Sequence, residues 1–257
     1  MLTRLDHIVL LTRDFHSAVQ DYQILLGFKP NEFANRHGFQ TALFRTGNIG
    51  LEIMAPQSEA ALSRTDEILE QAPSKLTSLA FSASDLAEAH RTLGRRGGEP
   101  SEISSSFRLS DIICSGVKTF IISDNASPSD KNICLDHLVI NTPNPDRAIA
   151  HYGARLGIRF ALDRANEDWG ARFLFFKLGD IVLEVIHRTG QEHDPLAPDE
   201  IWGLTWKVDD LVAHHERLSK QGVTISEIRT GRKPGTKVFT VKSHSGDIPT
   251  LFLMSLN

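Results

Sequence analysis

The chain repeats itself, and that constrains its fold more than any other feature. Leu5-Asp6-His7-Ile8-Val9 returns 130 residues later as Leu135-Asp136-His137-Leu138-Val139. The same spacing joins Ala18 to Ala148, Tyr22 to Tyr152, Leu26 to Leu156 and Gly27 to Gly157. Gly47-Asn48-Ile49-Gly50-Leu51-Glu52 returns as Gly179-Asp180-Ile181-Val182-Leu183-Glu184 at a spacing of 132, which two added loop residues explain. Further on, a spacing of 125 links Asp85-Leu86 to Asp210-Leu211, His90 to His215, Leu93 to Leu218, Gly97 to Gly222 and Glu102 to Glu227. A unit repeated at this length must bury its apolar face on neighbours built to the same plan. The quarters within each half share that plan: a strand, Asp or Asn, a helix, Gly, then more strands. Four units follow, over 2–56, 75–124, 134–188 and 202–255. They group into two halves, 1–126 and 133–257, joined by a linker at 124–131 rich in Asp, Ser and Asn.

Local patterns agree with the plan. Ala18, Tyr22, Leu25 and Leu26 recur at helical spacing and Gly27 ends the run. Ala148, Ile149, Tyr152 and Leu156 do the same before Gly157. In the even units the helices are 86–93 and 211–218, closed by Gly97 and Gly222. Strands are expected at 6–12, 40–44, 49–54, 172–177, 181–187, 237–242 and 250–254. The segments 57–73 and 189–198 read as connectors. This is an α+β chain.

Composition excludes several classes. With 40% hydrophobic and 23% charged residues, the chain can bury a core without staples. A formal charge of −4 sets up no basic field for nucleic acid or anionic lipid. Cys114 and Cys134 have no metal-binding spacing and read as reduced structural thiols. The apolar run from Ile8 to Leu11 is short and flanked by charge, so no export or membrane segment is read, and a cytoplasmic protein is expected. There is no GxGxxG, Walker A, HExxH or GxSxG motif. His214-His215-Glu216 reads as a partly exposed helix surface. Phe173, Phe175, Phe176 and Trp206 read as core.

A strand opening Leu-Asp-His, a helix ending Leu-Gly-Phe or Leu-Gly-Ile, and a late strand carrying Leu-Glu resemble the vicinal oxygen chelate superfamily. That superfamily holds glyoxalase I, bleomycin-resistance proteins, methylmalonyl-CoA epimerase and extradiol dioxygenases. The resemblance covers nearly the whole chain. It implies four βαβββ modules paired into two glyoxalase-like domains with cupped mixed β-sheets. It also implies a divalent metal (Ni, Zn, Fe or Mn) held by His and Glu from first and last strands, which chelates two substrate oxygens. The matching residues are His7 and Glu52 in the first unit, and His137 and Glu184 in the third. Alternation along the strands puts each Glu on the cavity face, away from its apolar neighbours.

The even units depart from the pattern. Ser78 and Gly203 occupy the first-strand position, with Phe120 and Thr250 near the last-strand position. Each conventional pair then keeps two ligands where a catalytic site takes three. The extradiol pattern needs His and Glu from the fourth unit, which weighs against dioxygenase chemistry. His193, His244 or Asp247 could complete a site. Otherwise the odd units share one, or no metal is used and His with Glu act as a base or ligand anchor.

A second feature is the basic turn 229–237, where Arg232, Lys233 and Thr236 are candidates to hold a carboxylate or phosphate. Arg172 is a further candidate anion partner. The alternative for the turn is a solvated hairpin tip.

The functional expectation is a protein that binds a small, anionic, oxygenated metabolite. One form is a metal-assisted lyase or isomerase with His137 and Glu184 as catalytic residues. The other is a metal-free binding module of the resistance type. A third is a structural duplicate whose first half supports the second. The expected partner is a small molecule, with no nucleic acid and no membrane, and a homodimer is compatible.

Overall fold

The computed structural model describes residues 1–70, 72–124 and 132–256. Residues 125–131 of the expected linker lie outside that set. The first copy runs β1 (Leu2–Thr12), α1 (Phe15–Leu26), β2 (Glu32–Arg36), β3 (Phe39–Arg45) and β4 (Gly50–Pro56), and a short α2 (Glu59–Thr65) follows. The second runs β5 (Ser74–Ala83), α3 (Leu86–Arg95), β6 (Ser106–Arg108), α4 (Asp111–Cys114) and β7 (Lys118–Ser123). The third runs β8 (Ile133–Asn141), α5 (Pro145–Ala148), which continues as a π-helix (Ile149–Arg155), then β9 (Arg159–Asn166), a 3-10 turn (Glu167–Trp169), β10 (Ala171–Leu178) and β11 (Ile181–Arg188). The fourth runs β12 (Glu200–Val208), α6 (Leu211–Lys220), β13 (Arg229–Thr230), β14 (Thr236–Val241) and β15 (Thr250–Ser255).

Each copy starts its helix in one way. Asp14, Asp85, Asn144 and Asp210 accept a hydrogen bond from the backbone N–H three residues on. This satisfies a donor that the helix leaves open, worth about 1 kcal/mol per cap. The Asp or Asn of the repeat is therefore an N-cap. Gly27 and Gly157 follow the odd helices at φ of 83° and 70°, where a side chain would be strained.

Two differences from the expected plan have physical causes. Strands β2 and β9 lacked an apolar signal because nearly every residue in them is exposed. The second copy has two strands after its helix where the plan has three, among the described residues. Residues 99–105 hold one large apolar side chain, Ile103, and it is exposed, so nothing there drives a strand onto a core.

The chain divides into two compact units. Unit 1 is Met1–Ile8, Thr77–Ser127 and His137–Trp202; unit 2 is Val9–Leu76, Pro128–Asp136 and Gly203–Asn257. In unit 1, β11 pairs parallel with β8 and antiparallel with β10, which pairs antiparallel with β9. β5 and β7 are parallel, with β6 antiparallel on β7. Its helix ends are joined by two arginines: Arg96 donates to the Arg155 carbonyl, and Arg155 Nε to the Gly97 carbonyl. In unit 2, β2, β3 and β4 form an antiparallel ladder. β15 lies between parallel β12 and antiparallel β14. Arg217 of α6 donates to the Ile24 and Leu25 carbonyls at the end of α1. Cys114 is buried, which pushes its thiol pKa up, and no disulfide forms among the described residues. No helix among them is long and apolar enough to cross a membrane.

Candidate functional site

The register in unit 1 decides which side chains share a face. Across β8, β11 and β10, His137 is opposite Val182, Val139 opposite Glu184, and Glu184 opposite Phe175. Ile186 is opposite Phe173, which is opposite Arg164 on β9, and Phe175 is opposite Leu162. Directly paired residues project to one side of a sheet. One face therefore carries His137 and Glu184 together with Val139, Phe173, Phe175 and Ile186. The other carries Leu138, Leu183, Val185 and Phe176, which lies under Tyr152 with ring centroids 5.6 Å apart.

On the first face His137 Nε2 and Glu184 Oε2 are 3.5 Å apart, with about a fifth of each side chain exposed. Val139, Ala171, Phe173 and Ile186 form a buried cluster beside them, and Phe175 packs against it. Trp169, on the 3-10 turn, meets Phe173 edge-on at 5.7 Å and is 45% exposed. The arrangement is an apolar floor with one polar pair, the usual make-up of a small-molecule site. Sequence reading took Phe173 and Phe175 as core, and Phe173 is, at 7% exposed, while half-buried Phe175 stands opposite Glu184. Leu162 and Arg164 were missed because β9 was missed, and Trp169 because the 3-10 turn after it was not expected. Leu162 and Arg164 share one face of an exposed edge strand, which leaves little apolar alternation to read.

Arg172 belongs to the opposite face, paired across to His187. Its guanidinium grips Asp163 with two bonds, of 3.0 and 2.7 Å, and Asp146 stands 3.7 Å away. That fork holds the Asp163 carboxyl below its usual range and raises Arg172. In unit 2, Arg232 and Lys233 are exposed at the tip of the β13–β14 hairpin. Thr236 is buried and its hydroxyl donates to the Lys233 carbonyl at 2.6 Å, so it shapes the turn.

His7 Nδ1 is 2.8 Å from Asp6 Oδ1, and Arg4 reaches the other oxygen of that buried carboxylate. Glu52 is half-buried on β4, on the face with Met54, while Leu51 and Ile53 are fully buried beneath, as alternation requires. His244 and Asp247 lie in the β14–β15 loop at positive φ, in the wall of a cavity of about 510 Å³ with Asp14 and Asp21. Burial raises the Asp21 carboxyl and His244 opposes that. Among the described residues, no group of three or more His, Cys, Asp or Glu side chains is disposed to hold a metal ion. His137 and Glu184 thus supply two donors where a catalytic divalent ion takes about three from the protein.

Two family models match most of the chain between them. One, described as Glyoxalase-like domain, matches residues 5–128. The other, described as Glyoxalase/Bleomycin resistance protein/Dioxygenase superfamily, matches 136–240. An ethylmalonyl-CoA/methylmalonyl-CoA epimerase of Cereibacter sphaeroides is 26% identical over 98 residues, 35% of this chain and 72% of the relative. A mutant 4-hydroxymandelate synthase from Streptomyces coelicolor has the same fold, with TM-score 0.81 and 14% identity over 99% of this chain and 93% of that one. BphC, a halotolerant catechol dioxygenase, superposes at TM-score 0.66 and 10% identity, over 99% and 87% of the two chains.

Proposed function

The chain belongs to the glyoxalase, bleomycin-resistance and dioxygenase superfamily, and from that premise we propose that it binds a small oxygenated acid or thioester on the face of β8, β10 and β11 and moves a proton there. The observation that carries this is the His137–Glu184 pair, 3.5 Å apart on an apolar floor. A carboxylate with low water access is a suitable base for a proton next to a carbonyl. In the proposed step, the substrate C–H bond breaks and its proton goes to Glu184. The bonding electrons move to the carbonyl oxygen as an enolate, and His137 Nε2–H donates a hydrogen bond to that oxygen. Return of that proton from Glu184 to a neighbouring atom of the substrate makes the reaction an isomerisation. Protonation of the enolate on its opposite face by water, with Glu184 giving its proton back to solvent, makes it an epimerisation. The name of the Cereibacter relative supports this class. The donor set does not complete a three-ligand divalent site, and no step is assigned to a metal.

Arg164, on the same face, is the proposed partner for an anionic group of the ligand. The exposed cations Arg232 and Lys233 are proposed as a second anion contact, separate from the pair. The halves 1–126 and 133–257 are proposed as the two copies of the duplication, supported by one family model falling on each, while each compact unit draws on both halves. The missing third donor favours a second reading, a binding module without turnover.

One experiment separates the two readings. Candidate malonyl-type CoA thioesters and 2-oxo acids are incubated with the protein in D₂O and followed by mass spectrometry, with binding measured by Trp169 fluorescence. Exchange that falls about 10²–10⁴-fold in Glu184→Gln, with binding held within a few-fold, supports the proton-transfer reading. Binding without exchange moves the assignment to the binding module. If no compound binds and Glu184→Gln and His137→Ala change nothing, the site is elsewhere.

A further inference from the structure

On the face opposite His137 and Glu184, two histidines not used by the proposed reaction stand together. His187 is near the end of β11 and His193 is in the connector that follows. Their ring centroids are 5.1 Å apart, with planes at 53°. Both rings have one nitrogen tied to a backbone carbonyl. His187 Nδ1 is 3.1 Å from the Thr142 carbonyl oxygen, and His193 Nε2 is 2.7 Å from that of Arg188. A carbonyl oxygen only accepts, so in the neutral rings these nitrogens carry the protons. That leaves the lone pairs on His187 Nε2 and His193 Nδ1. Metal-binding histidines are typically oriented in this way, one ring N–H spent on a carbonyl and the other nitrogen bare.

The spacing points the same way. With metal–nitrogen bonds of ~2.0–2.1 Å, two imidazoles on one tetrahedral ion hold their centroids roughly 5 Å apart. The neighbouring charge does not forbid a cation. Arg172 faces His187 across the ladder, but Asp163 grips it and Asp146 lies beside it. Glu192 and Asp194 flank His193 in sequence.

We propose that His187 and His193 form a two-histidine site for a first-row divalent cation, with water completing its coordination. Imidazole donors favour Cu²⁺, then Ni²⁺ and Zn²⁺, over Mg²⁺ or Ca²⁺. The bound ion ties the connector to the end of β11. That connector is already held at Pro195 and Ala197, whose carbonyls accept from Arg147. The site is separate from the His137–Glu184 pair and does not depend on the reaction assigned to it.

The test uses the full, untagged chain. CuCl₂, NiCl₂ and ZnCl₂ are titrated by calorimetry, and the Cu²⁺ complex is examined by electron paramagnetic resonance. The expected result is one ion per chain, with hyperfine structure from two ring nitrogens. His187→Asn and His193→Ala should each weaken binding at least about tenfold, since each removes one of two ligands. His193→Ala, in a loop, keeps the test informative if His187→Asn folds poorly. A His137→Ala, Glu184→Gln double variant should leave this ion in place. Binding that survives loss of either His187 or His193, that vanishes in the double variant, or that is absent from the wild type overturns the proposal.

Discussion

A threonine stands just past or at the end of the first strand in both the first and the third copy, and the two copies surround it with different chemistry. In the first, Ser74 Oγ donates to Thr12 Oγ1 at 3.0 Å, a bond between neutral hydroxyls. In the third, Thr142 Oγ1 donates to Asp199 Oδ1 at 2.6 Å, and Arg147 Nη2 reaches the same oxygen at 2.7 Å. Ser17 and Ser74 stand where the repeat has Arg147 and Asp199. Asp199 is only 5% exposed, and burial pushes its carboxyl up against the pull of Thr142 and Arg147. The tyrosines differ in the same direction. Tyr22 and Tyr152 are both buried, but Tyr22 donates to the Ser245 carbonyl at 3.3 Å, while the Tyr152 hydroxyl has no partner among the described residues. Duplication kept the backbone plan and the apolar positions. The polar groups that close each copy were settled separately, because each sits in its own desolvated surroundings.

The largest expected effect is at the charged version. Asp199→Ala should cost about 3–5 kcal/mol, because it leaves the Arg147 guanidinium partly buried without its counter-charge. Ser74→Ala should cost about 1 kcal/mol, one neutral hydrogen bond. Urea denaturation of the two variants measures both, and equal losses would break the contrast.

Acid tests the two units next. Burial, with Arg155 and Arg147 nearby, holds His151 down at about 3. Burial and Arg217 hold His214 at about 4. In the unfolded chain both titrate near ~6.5. Between those values the unfolded state binds more protons, so stability is full above pH ~6.5 and falls as pH drops toward 4 for His214 and 3 for His151. His214 is worth on the order of 3 kcal/mol and His151 on the order of 5 kcal/mol. His214→Gln should flatten the slope of stability against pH by up to about 1.4 kcal/mol per pH unit between pH 6 and 4.5. His151→Gln should do the same and extend it lower. An unchanged slope in either variant would show that the ring is already protonated or solvated in the fold.

The smallest effect separates the tyrosines. Tyr22→Phe should lose about 1 kcal/mol, and Tyr152→Phe should be neutral or slightly stabilising. Thermal melts decide it, and a loss at Tyr152 as large as at Tyr22 would reveal a partner for its hydroxyl.

Much of this was legible in the chain. The Asp or Asn ahead of each helix, the glycine stops, and the faces of β4 and β11 follow from spacing and from the two-residue period of strands. His137 and Glu184 were named, with His7 and Glu52, from the resemblance to the superfamily's first- and last-strand positions. What was not legible lay where no apolar pattern exists. The edge strand β9 carries Arg159, Arg164 and an exposed Leu162, so its hydrophobic signal is weak although it pairs with β10 on the face of Glu184. The π-helical winding from Ile149 to Arg155 has no signature, since its apolar residues also fit an α-helix. Arg172 looked like an available anion partner because a sequence does not show that Asp163 will stand across the ladder.

The sequence by itself determined the duplication, the shared strand–helix–strand plan and the buried side of those strands that carry an apolar pattern. Those depend on local periodicity and on capping groups a few residues apart. Only the tertiary structure decided that Phe175 stands opposite Glu184, that Arg172 is spent on Asp163, and that His187 meets His193. These depend on strand register and loop closure, where a one-residue slip would turn every side chain to the other face.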